Sequence, residues 1–314
     1  MTTPLTIAVT GATGFLGQHL LRHLSAAGHA VRALTRQPQR GDAAAKLTWI
    51  TGDLENAEAL KNLLTDVDVV VHAAGAIKAL NRETFFKINR EGTRAVLAAA
   101  KAAGVAKCVL VSSLAARAPD LSSYAASKHG AERVAEDYAN NLEVVILRPP
   151  AIYGPGDDET VRLFQMAVNG FVLAPASKAS RASLIHVGDV ATAILVCCEQ
   201  TQSQLILEID DGTLGGHTWH DLALAAGLAA GRSVKIVHLP GVFVWAMGFL
   251  GTLKAAITRS PAMLTLSKAP ELLHQDWVVT ESGPQGWHPK WTLEAGFKDA
   301  IDWYHSQNVL KRYF

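Results

Sequence analysis

The sequence predicts an α/β protein, a doubly wound parallel sheet followed by a smaller, irregular C-terminal lobe. Three observations predict it. Short apolar runs alternate with helical patterns as far as Arg148. The runs are continuously apolar, as strands covered by helices on both faces must be. Past Ile152 the rhythm stops, and Gly, Pro and Trp become frequent.

Leu5–Thr10 opens the chain as a strand, and Phe15–Ala27 follows as a helix after a glycine-rich turn. Ala30–Thr35, Leu47–Thr51, Val67–Ala73, Cys108–Ser112 and Glu143–Arg148 read as further strands, with helices over Arg82–Ala103 and Tyr124–Asn140. Parallel strands need crossovers, and crossovers are right-handed, which makes double winding the economical topology. Tyr153-Gly154-Pro155-Gly156-Asp157 is a turn-rich break. A helix over Asp189–Cys198 and a strand over Gln204–Ile209 are expected to rejoin the main sheet. The expected division is therefore 1–155, with 183–212 returning to it, and a lobe of 156–182 and 213–314 that shapes a substrate pocket. Trp219, Trp245, Trp277, Trp287, Trp291 and Trp303 all lie in that last third.

Bulk numbers exclude several classes. A chain of 314 residues with 49% hydrophobic and 18% charged content is well cored, not disordered. Twenty-nine basic against 28 acidic residues give a net charge of +1 and no reason to expect nucleic acid. Cys108, Cys197 and Cys198 are odd in number, and two are adjacent, which argues against disulfides; no spacing suits a metal. The N-terminal residues carry no basic n-region, so no signal peptide and a cytoplasmic location are expected. Gly241–Leu253 is apolar, but Pro240 and Lys254 hold it short of the roughly 20 residues that span a bilayer. It reads as a helix under the lobe or lining a pocket, with membrane-surface contact or dimer packing as alternatives.

Thr10-Gly11-Ala12-Thr13-Gly14-Phe15-Leu16-Gly17 joins the first strand to its helix. Glycines there permit a tight turn and let backbone N–H groups meet a pyrophosphate at the helix N-terminus. The spacing differs from G-x-G-x-x-G, and no Gly-Lys-Ser/Thr follows, so a P-loop is not indicated. The end of the second strand offers Arg36, with Arg32 a few positions earlier, where an acid would accept from an NAD ribose. Arg36 therefore favours NADP(H) over NAD(H). Asp53 and Leu54, after the third strand, are candidates for the adenine, or a simple turn.

Tyr124 and Lys128 stand four apart on one helix and share a face. An ammonium beside a phenol favours the phenolate, which suits a group that exchanges a proton with an alcohol or ketone.

Together these motifs resemble the extended short-chain dehydrogenase/reductase family, of NAD(P)-dependent epimerase/dehydratase type. Its pattern is matched by the glycine loop, Asp53-Leu54, His72-Ala73-Ala74-Gly75, Asn89 to Thr93, Ser112-Ser113, Tyr124 to Lys128, Arg148 to Gly156, and Ile185 to Val190. The resemblance implies a Rossmann fold and a dinucleotide held by Thr10, Gly11, Thr13, Gly14, Phe15, Leu16, Gly17, Arg36, Asp53, Leu54, Ala73, Ala74, Gly75, Ser112, Tyr124, Lys128, Pro149 and Ile152. It implies Ser113, Tyr124 and Lys128 as catalytic, Lys128 also holding the nicotinamide ribose, and Asn89 in a structural or proton-relaying role. Helices equivalent to 82–103 and 124–140 pair across a dimer in relatives, so a homodimer is an expectation.

Two departures bear on substrate. Tyr124 follows Ser113 by only eleven positions, and Arg181 stands one place too early for the Arg-Asp-aromatic-Ile-His order of nucleotide-sugar enzymes. The function expected is thus NADP(H)-dependent hydride transfer at a secondary alcohol or ketone of a hydrophobic or mid-sized substrate. A nucleotide-sugar epimerase or dehydratase with recycled cofactor, and a non-catalytic dinucleotide-binding subunit or sensor, are the alternatives.

Overall fold

β1 (Thr6–Thr10), α1 (Phe15–Ala26), β2 (Ala30–Thr35), β3 (Leu47–Thr51), α2 (Ala57–Leu64) and β4 (Val69–His72) build the first half of a parallel sheet. α3 (Arg82–Phe86) and α4 (Gly92–Ala103) are joined by one π-helical turn, Lys87–Glu91; β5 (Lys107–Val111), α5 (Ser123–Tyr138) and β6 (Glu143–Arg148) complete the second half. The computed structural model describes residues 3–39, 46–175 and 177–310.

The remaining elements are β7 (Ala151–Tyr153), α6 (Val161–Val168), β8 (Phe171–Ala174), β9 (Arg181–Ala182), β10 (Leu184–His186), α7 (Val187–Glu199), β11 (Ile206–Glu208), β12 (His217–Thr218) and α8 (Trp219–Ala229). After them come β13 (Lys235–His238), α9 (Gly241–Thr258), α10 (Ala269–Leu273), β14 (Asp276–Trp277) and α11 (Leu293–Ser306).

Seven strands form one sheet in the order β11-β6-β5-β4-β1-β2-β3, every pair parallel. That is the Rossmann order with β11 added at one edge. The strand order reverses between β1 and β4, where Thr10 lies opposite His72. All residues of β4 and β5 are buried, as strands sandwiched between helices require. On one face Ala8, Val70, Cys108, Leu110 and Ile146 pack against Leu60, Leu63, Val96, Leu97 and Val134 of α2, α4 and α5. Local chemistry sets the helix ends. The Asn56 side chain accepts from Ala59 N–H to start α2, Ser122 accepts from Ala125 N–H to start α5, and Gly104 ends α4 in the left-handed region.

The chain divides into two compact units. The first comprises Met1–Arg148, Ala191–Glu208 and Ser282–Trp287; the second comprises Pro149–Val190, Ile209–Glu281 and His288–Phe314. Thus 149–155, 183–190 and 209–212 fall in the second unit, and a short C-terminal segment in the first. Short strands serve the second unit: β7 pairs with β10, β8 with β13, and β9 with β12 and β14. Its core centres on Tyr153, Phe164, Phe297 and Tyr304, with edge-on pairs at 5.0 Å for Tyr153–Phe297 and Phe164–Phe297. Gly296 is a packing requirement, since a Cβ there would lie 2.3 Å from the Tyr153 hydroxyl. The Asp189 carboxylate accepts from the backbone N–H of Lys290 and Trp291, both at 3.0 Å, which ties α7 to the start of the C-terminal segment. α9 runs past Lys254 to Thr258, longer than the sequence pattern implied, and most of its large side chains are exposed rather than buried under the lobe.

Candidate active site

Gly11 has φ +75°, and a Cβ on it would lie 2.7 Å from Ala73 C and Ala74 N. The turn after β1 therefore touches the turn after β4, a contact only glycine allows. Gly17 has the same role one helical turn on, where a Cβ would lie 2.1 Å from the Gly11 carbonyl oxygen. Gly14 caps α1 without a side-chain acceptor, and no acid stands in the first turn. The leading N–H groups and the positive end of α1 are thus left for an anion, so the site suits the diphosphate of a dinucleotide. Thr13 and Gly14 are exposed, and Phe15 and Leu16 half-buried, around that opening.

At the end of β2 the two arginines separate in role. Arg32 donates through Nε to the Leu63 carbonyl (3.0 Å) and through Nη2 to Asn62 (2.6 Å), closing the last turn of α2. Arg36 is exposed just beyond the strand. Asp53 Oδ1 accepts from Glu55 N–H at 2.9 Å and shapes the turn after β3. Leu54 packs on Gly92, where a Cβ would lie 2.7 Å from its Cδ1.

A buried polar chain leads from this loop to the helices. Thr93 gives its one hydroxyl proton to the Asn89 carbonyl (2.6 Å), so its oxygen accepts from His72 Nε2 (3.2 Å). Nδ1 of His72 is then bare and accepts from the Thr10 hydroxyl (2.7 Å), whose oxygen accepts from Ala74 N–H (3.3 Å). Every member is used with a neutral ring. Burial, and secondly the charge on Lys128, push His72 down to about 3. Asn89 sits in the π-turn; its amide donates to Ser127 Oγ (2.8 Å) and to the Ala76 carbonyl, and its Oδ1 accepts from Ala76 N–H (2.7 Å). Ser127 in turn donates to the Tyr124 carbonyl (2.7 Å). Asn89 thereby fixes both the loop after β4 and the first turn of α5.

Tyr124 stands in that first turn with its ring edge-on to Phe85, centroids 6.1 Å apart. Lys128 is buried and donates through Nζ to the Val111 carbonyl at 2.7 Å. Burial pulls its ammonium down to about 8, against the upward pull of Glu132. The two serines after β5 diverge, as neighbours on an extended chain do. Ser112 points inward and donates to Glu132 Oε1 (2.5 Å), while Ser113 is half-buried and accepts from Ala115 N–H (3.2 Å). Two 3₁₀ turns, Leu114–Arg117 and Pro119–Leu121, fill the short connection to α5.

Glu132 was not singled out by the sequence pattern, yet it organises this end of the sheet. It takes Arg148 in a two-pronged bond, Nε at 2.9 Å and Nη2 at 2.7 Å, and Arg148 and Arg117 each reach Glu208 at 3.5 Å. An available signal was an acid on the buried stripe Ala125, Lys128, Glu132, Ala135. Pro149 and Ile152 belong to the second unit, and Arg181 donates to the carbonyls of Gly215 (3.1 Å) and Gly216 (3.2 Å). Among the described residues no group of three His, Cys, Asp or Glu side chains could hold a metal.

Comparison with known proteins places the chain. The model of the NAD dependent epimerase/dehydratase family matches residues 7–209. The chain is 40% identical over 312 residues to the ceramide reductase of Caulobacter vibrioides, covering 98% of this chain and 96% of that one. It is 30% identical over 236 residues to the decarboxylating sterol-4-alpha-carboxylate 3-dehydrogenase of Homo sapiens, covering 68% and 60%. MoeE5, solved with UDP-glucuronic acid and NAD, shares the fold with a TM-score of 0.70 over 97% of this chain and 100% of that one, at 22% identity. The chain belongs to the NAD dependent epimerase/dehydratase family and is an enzyme of the extended short-chain dehydrogenase/reductase type.

Proposed function

We propose that this enzyme is an NADP(H)-dependent reductase of a hydrophobic ketone, with a lipid of the ceramide class as its substrate. The observation that carries the reading is the 40% identity to a ceramide reductase along nearly the whole chain, with Tyr124 and Lys128 held on α5 of the first unit. In this reading Gly11 to Gly17 and the open end of α1 hold the diphosphate, and Arg36 pairs with the 2′-phosphate. Asp53 and Leu54 flank the adenine, and Ala73 to Gly75 line the path toward the nicotinamide. When bound, the cofactor supplies the hydride.

The chain supplies the proton. Tyr124 Oη gives its proton to the carbonyl oxygen as the carbonyl carbon takes the hydride, so the C=O π pair becomes the O–H bond of the alcohol. Ser113 donates a hydrogen bond to the same oxygen and holds it in line. Lys128, charged below about pH 8, donates to the ribose hydroxyls and stabilises the tyrosinate left behind. Ser112, with its hydroxyl committed to Glu132, sets the turn that presents Ser113. The engagement of Arg181 by backbone carbonyls supports a lipid substrate over a nucleotide diphosphate.

The test is NADPH consumption with long-chain ketones of the ceramide class beside a panel of UDP-sugars. Turnover of the lipid ketone alone is expected. Tyr124→Phe should bind NADPH normally and lose roughly 10²-fold or more in kcat. UDP-sugar epimerisation, or full activity in Tyr124→Phe, would overturn the reading.

A further inference from the structure

The longest helix of the second unit is apolar on almost every side, yet it faces solvent. In α9 Val242, Phe243, Phe249, Leu250, Leu253 and Ile257 are each about half exposed or more, and Trp245 is 43% exposed; only Val244, Gly248 and Ala255 are buried. Single exposed apolar residues are ordinary, but a contiguous patch of this kind marks a surface that something covers.

By length and composition α9 could cross a bilayer, but its packing forbids it. Cβ atoms on Gly248 and Gly251 would lie 3.1 Å from the Thr265 carbonyl oxygen and 2.0 Å from that of Leu264. Leu266 N–H donates to Thr252 Oγ1 at 3.0 Å. Irregular chain over 264–266 thus lies flat along the glycine seam. Such backbone is not tolerated against hydrocarbon, so a helix wearing it does not span. It can lie in the interfacial plane, with the opposite face in the headgroup–acyl boundary and Trp245 at headgroup depth.

Charge identifies the occupant. From Leu222 to Pro270 the chain carries Arg232, Lys235, Lys254, Arg259 and Lys268 and no acidic residue; Lys268 is paired with Glu271 at 3.2 Å, which leaves the other four as the cations of this stretch. Lys254 and Arg259, at the C-terminal end of α9, are both exposed. A second copy packed antiparallel along α9 would set Lys254 and Arg259 against the apolar first turns of its partner, where no anion answers their charge. An anionic lipid surface takes both features, apolar side chains below and cations at the headgroups. We propose that α9 is an interfacial anchor that seats the enzyme on an anionic phospholipid bilayer. This does not depend on the substrate reading.

Flotation of the full chain tests it, using vesicles of phosphatidylcholine with and without phosphatidylglycerol. Wild type should float with the anionic vesicles, roughly tenfold less with phosphatidylcholine alone, and less as salt rises. Phe249→Ser with Leu253→Ser, and separately Lys254→Glu with Arg259→Glu, should each reduce flotation by about tenfold while circular dichroism and NADPH binding stay unchanged. Three results would overturn the proposal: wild type left at the bottom of the gradient with anionic vesicles, variants that float as wild type does, or a wild-type dimer that the Phe249/Leu253 variant dissociates with no vesicle binding by either.

Discussion

At the scale of single residues, Lys128 joins structure to chemistry most directly. Its ammonium is buried, its Nζ is tied to the Val111 carbonyl, and burial brings it down to about 8. If the charge is what holds the ribose, the logarithm of NADPH affinity should be level below about pH 8 and fall above it, because Lys128 must regain a proton to bind. Lys128→Met should weaken NADPH binding by about 1.5–3 kcal/mol, the worth of a charged hydrogen bond, and should lose the alkaline fall. Titrating binding from pH 6 to 10 checks both; an unchanged profile in the variant rules out the role. In the proposed reading Arg36 serves the other end of the cofactor. With Arg32 committed to α2, Arg36 is, among the described residues, the guanidinium left at the end of β2. Arg36→Asp should lower the NADPH/NADH preference by roughly 10-fold or more, since a charge-assisted bond to the phosphate becomes a like-charge contact. Equal ratios in steady-state kinetics would refute it.

At the scale of elements, the joint of β1, its glycine turn and α1 is the most demanding piece of backbone. Gly17 has no room for a methyl group, whereas Gly104, at φ +71°, ends α4 in open space. Gly17→Ala should push the turn off Ala73, cost about 1–3 kcal/mol by overpacking, and raise the NADPH dissociation constant by more than tenfold. Gly104→Ala should cost about 1 kcal/mol through its backbone strain and leave NADPH binding intact. Urea unfolding beside NADPH titration separates them, and equal effects on binding would sink the argument. These elements were legible in the sequence because each carries its own periodicity or turn chemistry: β2, β3 and β6 begin and end where the apolar runs do. Tyr124 and Lys128 were legible through helical spacing, and Asn89 through the family resemblance alone. Glu132, Arg148 and Glu208 were not seen as a set, because Glu132 and Arg148 stand 16 positions apart, Arg148 and Glu208 60 apart, and only the sheet order brings them together. β9, β12 and β14 are two residues long and carry no period at all; Arg181 pairs with Thr218 on one side and Asp276 on the other.

At the scale of the molecule, the first unit is not a contiguous stretch of chain, and that has a measurable consequence. Residues up to Arg148 supply six of the seven strands, but the edge of the sheet is closed by β11 from much later in the sequence. β11 gives β6 its outer partner and brings Glu208, which is buried and pairs with Arg148 and Arg117. Within the same unit Lys107 Nζ donates to the Cys197 (3.2 Å) and Gln200 (2.9 Å) carbonyls at the end of α7, and His29 meets Glu199 at 3.2 Å. The segment Ser282–Trp287 adds a bond from Trp287 Nε1 to Thr192 Oγ1 at 3.0 Å. A fragment ending at Arg148 therefore loses the far edge strand and exposes the outer face of β6, with its unpaired backbone groups, to solvent or to another chain. It also leaves Lys107 without its two carbonyl acceptors and the apolar surface under α7 uncovered. Such a fragment should keep far-ultraviolet ellipticity, lose near-ultraviolet signal and cooperative urea unfolding, bind NADPH at least tenfold more weakly, and aggregate through its open edge. Joining 191–208 back to it through a flexible linker should restore cooperativity, because those residues carry β11, Glu208 and most of α7. If the fragment unfolds cooperatively at the midpoint of the whole protein, β11 is an ornament on the sheet rather than part of its fold.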